Sequence, residues 1–488
     1  MKQKLTFVTK VKSLFFALLF CAPLVASAQG IEINETNFPD ENFRSWLLGQ
    51  DYGKDGVLTK EEISGITNIA ISVGKISSLT GIEHFTALTS LSFGGNQLTA
   101  LDVSKNTQLT KLDCNSNQLT ALDVSKNTKL TDLACDNNQL TALDVSRNTA
   151  LTTLWCDNNQ LTTLDVSGCA ALTYLNCRDN QLATLDVSKN TKLTRLYCYN
   201  NQLTALDVSK NTKLTELYCY VNQLTALDVS KNTALTRLEC NTNQLVALNV
   251  SGCTALTTLQ CNNNQLTTLD VSKTTALRYL YCYNNQLTAL DVSKNTILTG
   301  LDCSHNQLTV LDISKNTELT RLECYDNQLT ALDVSKNTEL RGLYCYDNQL
   351  TALDVSKNIK LEWLECYNNQ IQGTSMDALI SSLPQNNTTY EYWLYIIDER
   401  PNAEGNVCTK KQVEAAKAKG WSPCYTTNGW QWYEYEGSED EETNIAQPST
   451  ETVDTNTPVY TLSGQKVTGS LKGKKGVYIV GGKKVVVK

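Results

Sequence analysis

The sequence predicts a mainly β solenoid of about 14–15 turns with a 21-residue period, closed by a small helical cap at its N-terminal end and an α/β cap at its C-terminal end. Three observations predict it. Thirteen cysteines fall on one ruler, from Cys114 through Cys135 and Cys156 to Cys366, an interval of 252 residues or twelve periods of 21. An asparagine follows each of them three residues later, from Asn117 to Asn369, and Phe93 and Asn96 take the same slots one period earlier. A second motif, Leu119-Thr120-Ala121-Leu122-Asp123-Val124-Ser125-Lys126-Asn127, recurs at the same spacing.

In chain order, residues 1–28 read as a secretory signal peptide. Lys2, Lys4, Lys10 and Lys12 precede an apolar run from Leu14 to Ala26, and Ala26-Ser27-Ala28 is a small-residue cleavage site. The run is too short to span a bilayer, and no later run of about 18 apolar residues follows, so no transmembrane segment is expected after its removal.

Residues 29–65 form the first cap. Pro39 to Leu48 reads as an amphipathic helix with Phe43, Trp46 and Leu47 on one side. The stretch after it resembles a calcium-binding EF-hand loop: Asp51, Asp55, the Val57 carbonyl, Thr59 and Glu62 match ligand positions, and Gly56 sits at the bend. Gly53 departs from the pattern, because it offers no side-chain oxygen at the third ligand position. The resemblance implies bound calcium. The other reading is an ion-free cap similar to the helical cap of internalin-type proteins.

Residues 66–369 are the repeat array. A unit reads Leu109-x-x-Leu112-x-Cys114-x-x-Asn117-x-Leu119, which resembles the leucine-rich repeat family with cysteine in the third leucine slot. Alternation of period two sends Leu112 and Cys114 inward and Lys111, Asp113 and Asn115 outward. The second motif of each unit is expected to form a second short extended segment. Stacked coils then bring identical inward residues within about 4.8 Å of each other. The asparagines are expected to bond turn backbone that no regular ladder satisfies. A second polar ladder runs Asn106, Asn127, Asn148, Cys169, Asn190, and is interrupted again at Cys253 and Thr274. Metal sites need convergent clusters rather than a line, so the ruler cysteines read as small buried apolar groups.

Residues 370–436 form the second cap, with helices expected at Ser375 to Leu383 and Lys410 to Lys419 around a strand at Tyr390 to Asp398. Cys408 and Cys424 stand apart from the ruler and are candidates for a disulfide in an exported protein. Residues 437–458 are acidic and rich in Ser and Thr, as a flexible linker is. Residues 459–488 run Val459-Tyr460-Thr461-Leu462-Ser463-Gly464-Gln465-Lys466-Val467, then Gly476-Val477-Tyr478-Ile479-Val480, then Lys483-Lys484-Val485-Val486-Val487-Lys488, three short strands with Gly turns and a basic finish. They resemble the C-terminal sorting domain of type IX secretion cargo. That resemblance implies passage through the type IX machinery and a secreted or outer-surface location on a Gram-negative bacterium.

The function classes narrow accordingly. A formal charge of −8 argues against nucleic-acid partners, and two histidines make His-based metal or triad chemistry improbable. No nucleophile–base pair or nucleotide loop is present, so no enzyme is expected. The outward positions around Leu-x-Cys are rich in aromatics. Trp155, Tyr197, Tyr218, Tyr281 and Tyr344 sit between Leu and Cys. Tyr199, Tyr220, Tyr283, Tyr325, Tyr346 and Tyr367 follow Cys, and Tyr174, Tyr279 and Trp363 precede Leu. Large rigid side chains with a polar tip suit binding. An extracellular protein ligand is expected there, in adhesion or host recognition, with a surface glycan as the alternative. The Asp ladder from Asp102 to Asp354 on the other segment reads as a solvated edge compensated by lysines three residues on.

Overall fold

The computed structural model describes residues 30–72, 74–400, 404–427, 431–439, 458–461, 465–467, 476–480 and 483–487. The signal-peptide reading of residues 1–28 and most of the linker fall outside the described residues.

Each repeat contributes one three-residue strand centred on its inward leucine. From Ser90–Ser92 to Trp363–Glu365 the strands start 21 residues apart and pair in parallel, leucine against leucine, as in Leu91↔Leu112 and Leu217↔Leu238. The chain is thus a mainly β solenoid of about 14 turns. Leu109, Leu112, Cys114, Leu119 and Val124 and their equivalents are buried in a single core that runs the length of the array. Every ruler cysteine is buried and free, and burial raises its pKa above the ordinary thiol value, to about 12 at Cys219 and Cys261. These thiols are packing groups, not nucleophiles.

The corner after each strand has a fixed geometry. The residue two past each ruler position is left-handed, from Ser116 (φ +49°) to Asn368 (φ +50°), with Gly95 opening the series at +70°. Asn and Asp fill most of these corners, as their tolerance of that conformation allows. Val221 (φ +50°) and Thr242 (φ +54°) do not fit that preference.

The two asparagine ladders differ in chemistry. In the first, Asn201 Oδ1 accepts from Leu182 N at 3.0 Å, while its Nδ2 donates to the carbonyls of Cys177, Cys198 and Tyr199 at 3.1, 3.1 and 3.2 Å. In the second, Asn211 Nδ2 donates to Val187 O and Asn190 O, both at 2.9 Å, and its buried Oδ1 meets no donor among the described residues. That slot uses a donor only. Cys169 fills it by pointing Sγ at Val145 O (3.4 Å) and Asn148 O (3.7 Å), and Cys253 does the same with Val229 O and Asn232 O.

Among the described residues the second extended segment forms a ladder in two places. Ala226–Asp228 pairs with Ala247–Asn249, and Asp123 bridges Asp144. Inside these ladders and outside them the Asp closes its own turn: Asp123 Oδ1 accepts from Ser125 N and Asp228 Oδ1 from Ser230 N, both at 2.8 Å, and the pattern recurs at Asp207 and Asp333. The same bonds hold these carboxyls below the usual aspartate range, so the Asp ladder is a row of turn formers.

At the first end, helix α1 (Glu41–Leu48) buries Phe43 and Leu47. Asp40 caps it through Phe43 N and binds Ser77 N, Ser77 Oγ and Ser78 N with its other oxygen, so one carboxylate joins cap to first coil. Helix α2 (Lys60–Gly65) starts on a capping box between Thr59 and Glu62.

At the other end the cap imitates a repeat. The strand Tyr392–Asp398 continues the sheet, with Trp393-Leu394-Tyr395 in register with Trp363-Leu364-Glu365. Ile396 is buried where the ruler places cysteine. Asn406 takes the asparagine role, donating to Cys366 O (2.9 Å) and Ile396 O (3.0 Å) and accepting from Ile371 N (2.9 Å). Helices α3 (Gly373–Ser382) and α4 (Lys410–Ala418) pack behind, and strands Trp421–Thr426 and Trp432–Glu434 complete the sheet. Cys408 and Cys424 are both free thiols: Cys408 is sealed in the main core and Cys424 in a separate aromatic cluster, so the expected bridge is not formed. The last segment is a four-stranded antiparallel sheet rather than three strands, because its first stretch supplies both Val459–Thr461 and Lys466–Val467.

Candidate ligand-binding face

The strand geometry puts three outward residues per coil on one side of the sheet: the two flanking the inward leucine and the one after the ruler residue. The aromatics there touch across coils. Trp155 meets Tyr174 at 5.8 Å between centroids, Tyr174 meets Tyr197 at 5.2 Å, and Tyr197 stacks on Tyr218 at 4.4 Å. Tyr199 stacks on Tyr220 at 4.1 Å. Tyr325, Tyr346 and Tyr367 form a third stack at 4.3 and 4.4 Å. Tyr279, Tyr281 and Tyr283 belong to a single coil, of which Tyr279 is 44 % exposed. Trp155 is 40 % exposed, and most of the others are half-buried against one another.

Charged groups are woven into these stacks. Arg178 binds Asp157 and the Tyr199 hydroxyl. Arg237 places its Cζ 5.7 Å from the Tyr218 centroid and donates Nε to Glu239 at 2.8 Å. Arg321 lies 4.2 Å over Tyr344, donating to Glu323 and to the Tyr344 hydroxyl. Burial, with Glu323 adding to it, pushes Glu365 up to about 7. Two small residues open recesses. Ala134 floors a cavity of about 300 Å³ bounded by Lys111, Asp132 and Trp155, and Gly300 floors one of about 170 Å³ beside Tyr279, Tyr281 and Asp302.

The structure changes the expected strip at its far end. Tyr367 is 5 % exposed, covered by Trp432 at 5.2 Å and clustered with Tyr395 and Cys424, so it is not available to a ligand. The cap instead presents Trp393 and Trp432 beside Trp363. Sequence reasoning missed these because the 30-residue step from Trp363 to Trp393 breaks the ruler; the x-Leu-x pattern of Trp393-Leu394-Tyr395 was the available signal.

In the loop that resembles an EF-hand, the acidic side chains bond within the loop. Asp51 pairs with Lys54, Asp55 Oδ1 accepts from Val57 N, and Glu62 Oε2 accepts from Thr59 N and Oγ1 at 2.8 Å. No group of three or more His, Cys, Asp or Glu able to hold a metal occurs among the described residues.

Comparison with known proteins gives a consistent picture. The model for leucine rich repeats (2 copies) matches residues 254–295. Internalin J of Listeria monocytogenes serotype 4b is 42 % identical over 71 residues, which is 14 % of this chain and 8 % of that protein. The solved functional domain of InlJ from Listeria monocytogenes, described as including a cysteine ladder, is 39 % identical, with a TM-score of 0.67 over 77 % of this chain and 83 % of that one. A leucine-rich repeat protein of Leptospira interrogans is 25 % identical, with a TM-score of 0.58 over 67 % of this chain and 91 % of that one.

Proposed function

Because the chain belongs to the internalin-like leucine-rich repeat family, we propose that it is an exported, non-enzymatic surface protein that captures an extracellular protein ligand on the aromatic side of its sheet, in adhesion or host interaction. The observation that carries this reading is the contrast between the two sides of each coil. The Asp turns are nearly invariant, whereas the strand side changes residue from coil to coil and gathers Tyr, Trp and Arg, the side chains that dominate protein-binding hot spots. Paired strands leave those rings standing on a rigid backbone, so little ordering cost falls on binding. No helix among the described residues is long and apolar enough to cross a membrane. Export rests on the two terminal segments, with the type IX machinery as carrier.

The test compares the intact exported protein with a Tyr197→Ala/Tyr218→Ala variant against an array of extracellular proteins and an array of glycans. Capture of a protein that falls at least tenfold in the variant supports the reading. Capture of glycans alone favours polysaccharide binding, and undiminished capture by the variant removes the strand face as the site. Deleting residues 459–488 should retain the protein within the cell envelope; normal surface display of that truncation removes the sorting role.

A further inference from the structure

We propose that the recess at Gly300 is a receptor for an arginine side chain of the protein ligand, an inference that rests on the strand-face reading above. The argument comes from a pattern the sheet repeats. In the coil of Arg237, three groups act together: Arg237 before the inward leucine, Glu239 after it, and Tyr218 after the leucine of the preceding coil. The guanidinium donates Nε to Glu239 at 2.8 Å and lies over the Tyr218 ring at 5.7 Å. Arg321 makes the same carboxylate bond to Glu323 at 2.7 Å and lies over a ring of the following coil, Tyr344.

The coil of Gly300 has two of the three groups. Asp302 stands after the leucine, where Glu239 stands in the other coil, and Tyr281 precedes it in register as Tyr218 precedes Glu239. Glycine occupies the arginine position. Where the sheet has its other glycine at this position, Gly342, the ring of Tyr344 closes over the gap: an added Cβ would lie 3.1 Å from its Cε2. At Gly300 a ring also stands close, with Tyr279 Cδ1 3.0 Å from an added Cβ, but a recess of about 170 Å³ remains beside Tyr279 and Tyr281, lined by Asp302, Arg321 and Glu323.

Asp302 is the unmatched member. It is only 7 % exposed, and its Oδ1 accepts from Ser304 N at 3.1 Å and Ser304 Oγ at 2.6 Å. Its Oδ2 meets no donor among the described residues. The cations nearby are engaged elsewhere: Arg321 is turned onto Glu323 and Tyr344, and His305 onto Asp326. Burial and the Glu323 charge push Asp302 up to about 6, the behaviour of a carboxylate short of a positive partner. A guanidinium entering between the two tyrosines would reach Asp302 with its planar donors and a ring with its face, as the protein's own arginines do.

The probe is the peptide Ac-Gly-Arg-Gly-NH2, followed by saturation-transfer NMR on the intact exported protein, with the citrulline peptide as an uncharged isostere. The arginine peptide should bind weakly, with a Kd on the order of millimolar, as one side chain allows. Citrulline should bind at least tenfold more weakly. Asp302→Asn should weaken the arginine peptide at least tenfold. Gly300→Arg should abolish its binding by filling the recess from within; its Cβ would lie 3.0 Å from Cδ1 of the exposed Tyr279 ring, which must turn outward to admit it, and a melting curve matching wild type checks that the variant folds. Equal binding of the two peptides overturns the proposal, as does binding unaffected by Gly300→Arg. If the arginine peptide fails while a protein ligand is still captured through Tyr197 and Tyr218, the recess is discarded and the strand-face reading stands.

Discussion

The clearest test of the solenoid's internal chemistry is to place cysteine in each asparagine ladder in turn. Asn201→Cys removes the acceptor of Leu182 N, and no other partner for that buried amide is at hand. The carbonyls it served keep neighbours: Cys177 O still accepts from Asn180, and Cys198 O from Asn222. An orphaned buried donor costs about 1–3 kcal/mol, and lost bonds add about 1 kcal/mol more, for a total of roughly 2–4 kcal/mol. Asn211→Cys gives up two donor bonds of about 1 kcal/mol each but also removes an amide oxygen buried without a donor, which offsets roughly 1–3 kcal/mol. Its net effect should lie within about 1 kcal/mol of zero, as the natural cysteines at 169 and 253 imply. Long repeat arrays unfold with imperfect cooperativity. Urea midpoints should therefore be read beside amide hydrogen exchange at Leu182, which should lose protection in Asn201→Cys alone. Equal losses in both variants, or a larger loss in Asn211→Cys, would refute the distinction between a four-bond and a donor-only ladder.

Three further outcomes are expected. Val221→Asn should raise the unfolding free energy by about 1 kcal/mol in chemical denaturation, since a β-branched residue at φ +50° carries about 1–2 kcal/mol of strain and the Val side chain is 38 % exposed. Asp302 and Glu365 have folded pKa values raised to about 6 and about 7 from ordinary values of 3.8 and 4.5. Their protonation favours the folded chain, so the stability they contribute is full below about pH 4 and is lost as pH rises through 6 and 7. Against wild type, urea midpoints of Asp302→Asn with Glu365→Gln should fall less steeply between pH 5 and 8. Iodoacetamide should leave the seventeen cysteines from Cys114 to Cys424 unmodified in the native protein and label all of them after denaturation without reductant, as mass spectrometry would show. Fewer than seventeen labels would mean that some are bridged.

The array was legible because its unit repeats almost unchanged, so the position of Cys114 or Asn117 carries the same meaning thirteen times. The second segment was less legible. Leu122 and Val124 alternate as a strand does, but alternation alone does not show whether neighbouring coils pair there, and among the described residues they do so at Ala226–Asp228 with Ala247–Asn249 and at Asp123 with Asp144. The donor-only character of the second ladder was visible in the cysteine replacements at 169 and 253, although the idle oxygen that permits them was not. The aromatic side was legible as a face, but its far end was not, because the shielding of Tyr367 comes from Trp432, 65 residues away along the chain. The Gly300 recess escaped sequence reading because it depends on what three neighbouring coils omit as much as on what they contain.

The cap that supplies Asn406 to the last ruler coil has a consequence for how such a molecule can vary in size. Its contacts to Cys366 O and Ile371 N are the ones any interior coil would offer, so the cap is compatible with a shaft of arbitrary height. Excising 21 residues, or duplicating them, leaves every seam a matching edge, whereas a change of 20 or 22 strands a donor on each side of the join. Unequal recombination between near-identical gene segments would therefore yield shorter and taller folded versions at once, each displaying a different sequence of outward side chains.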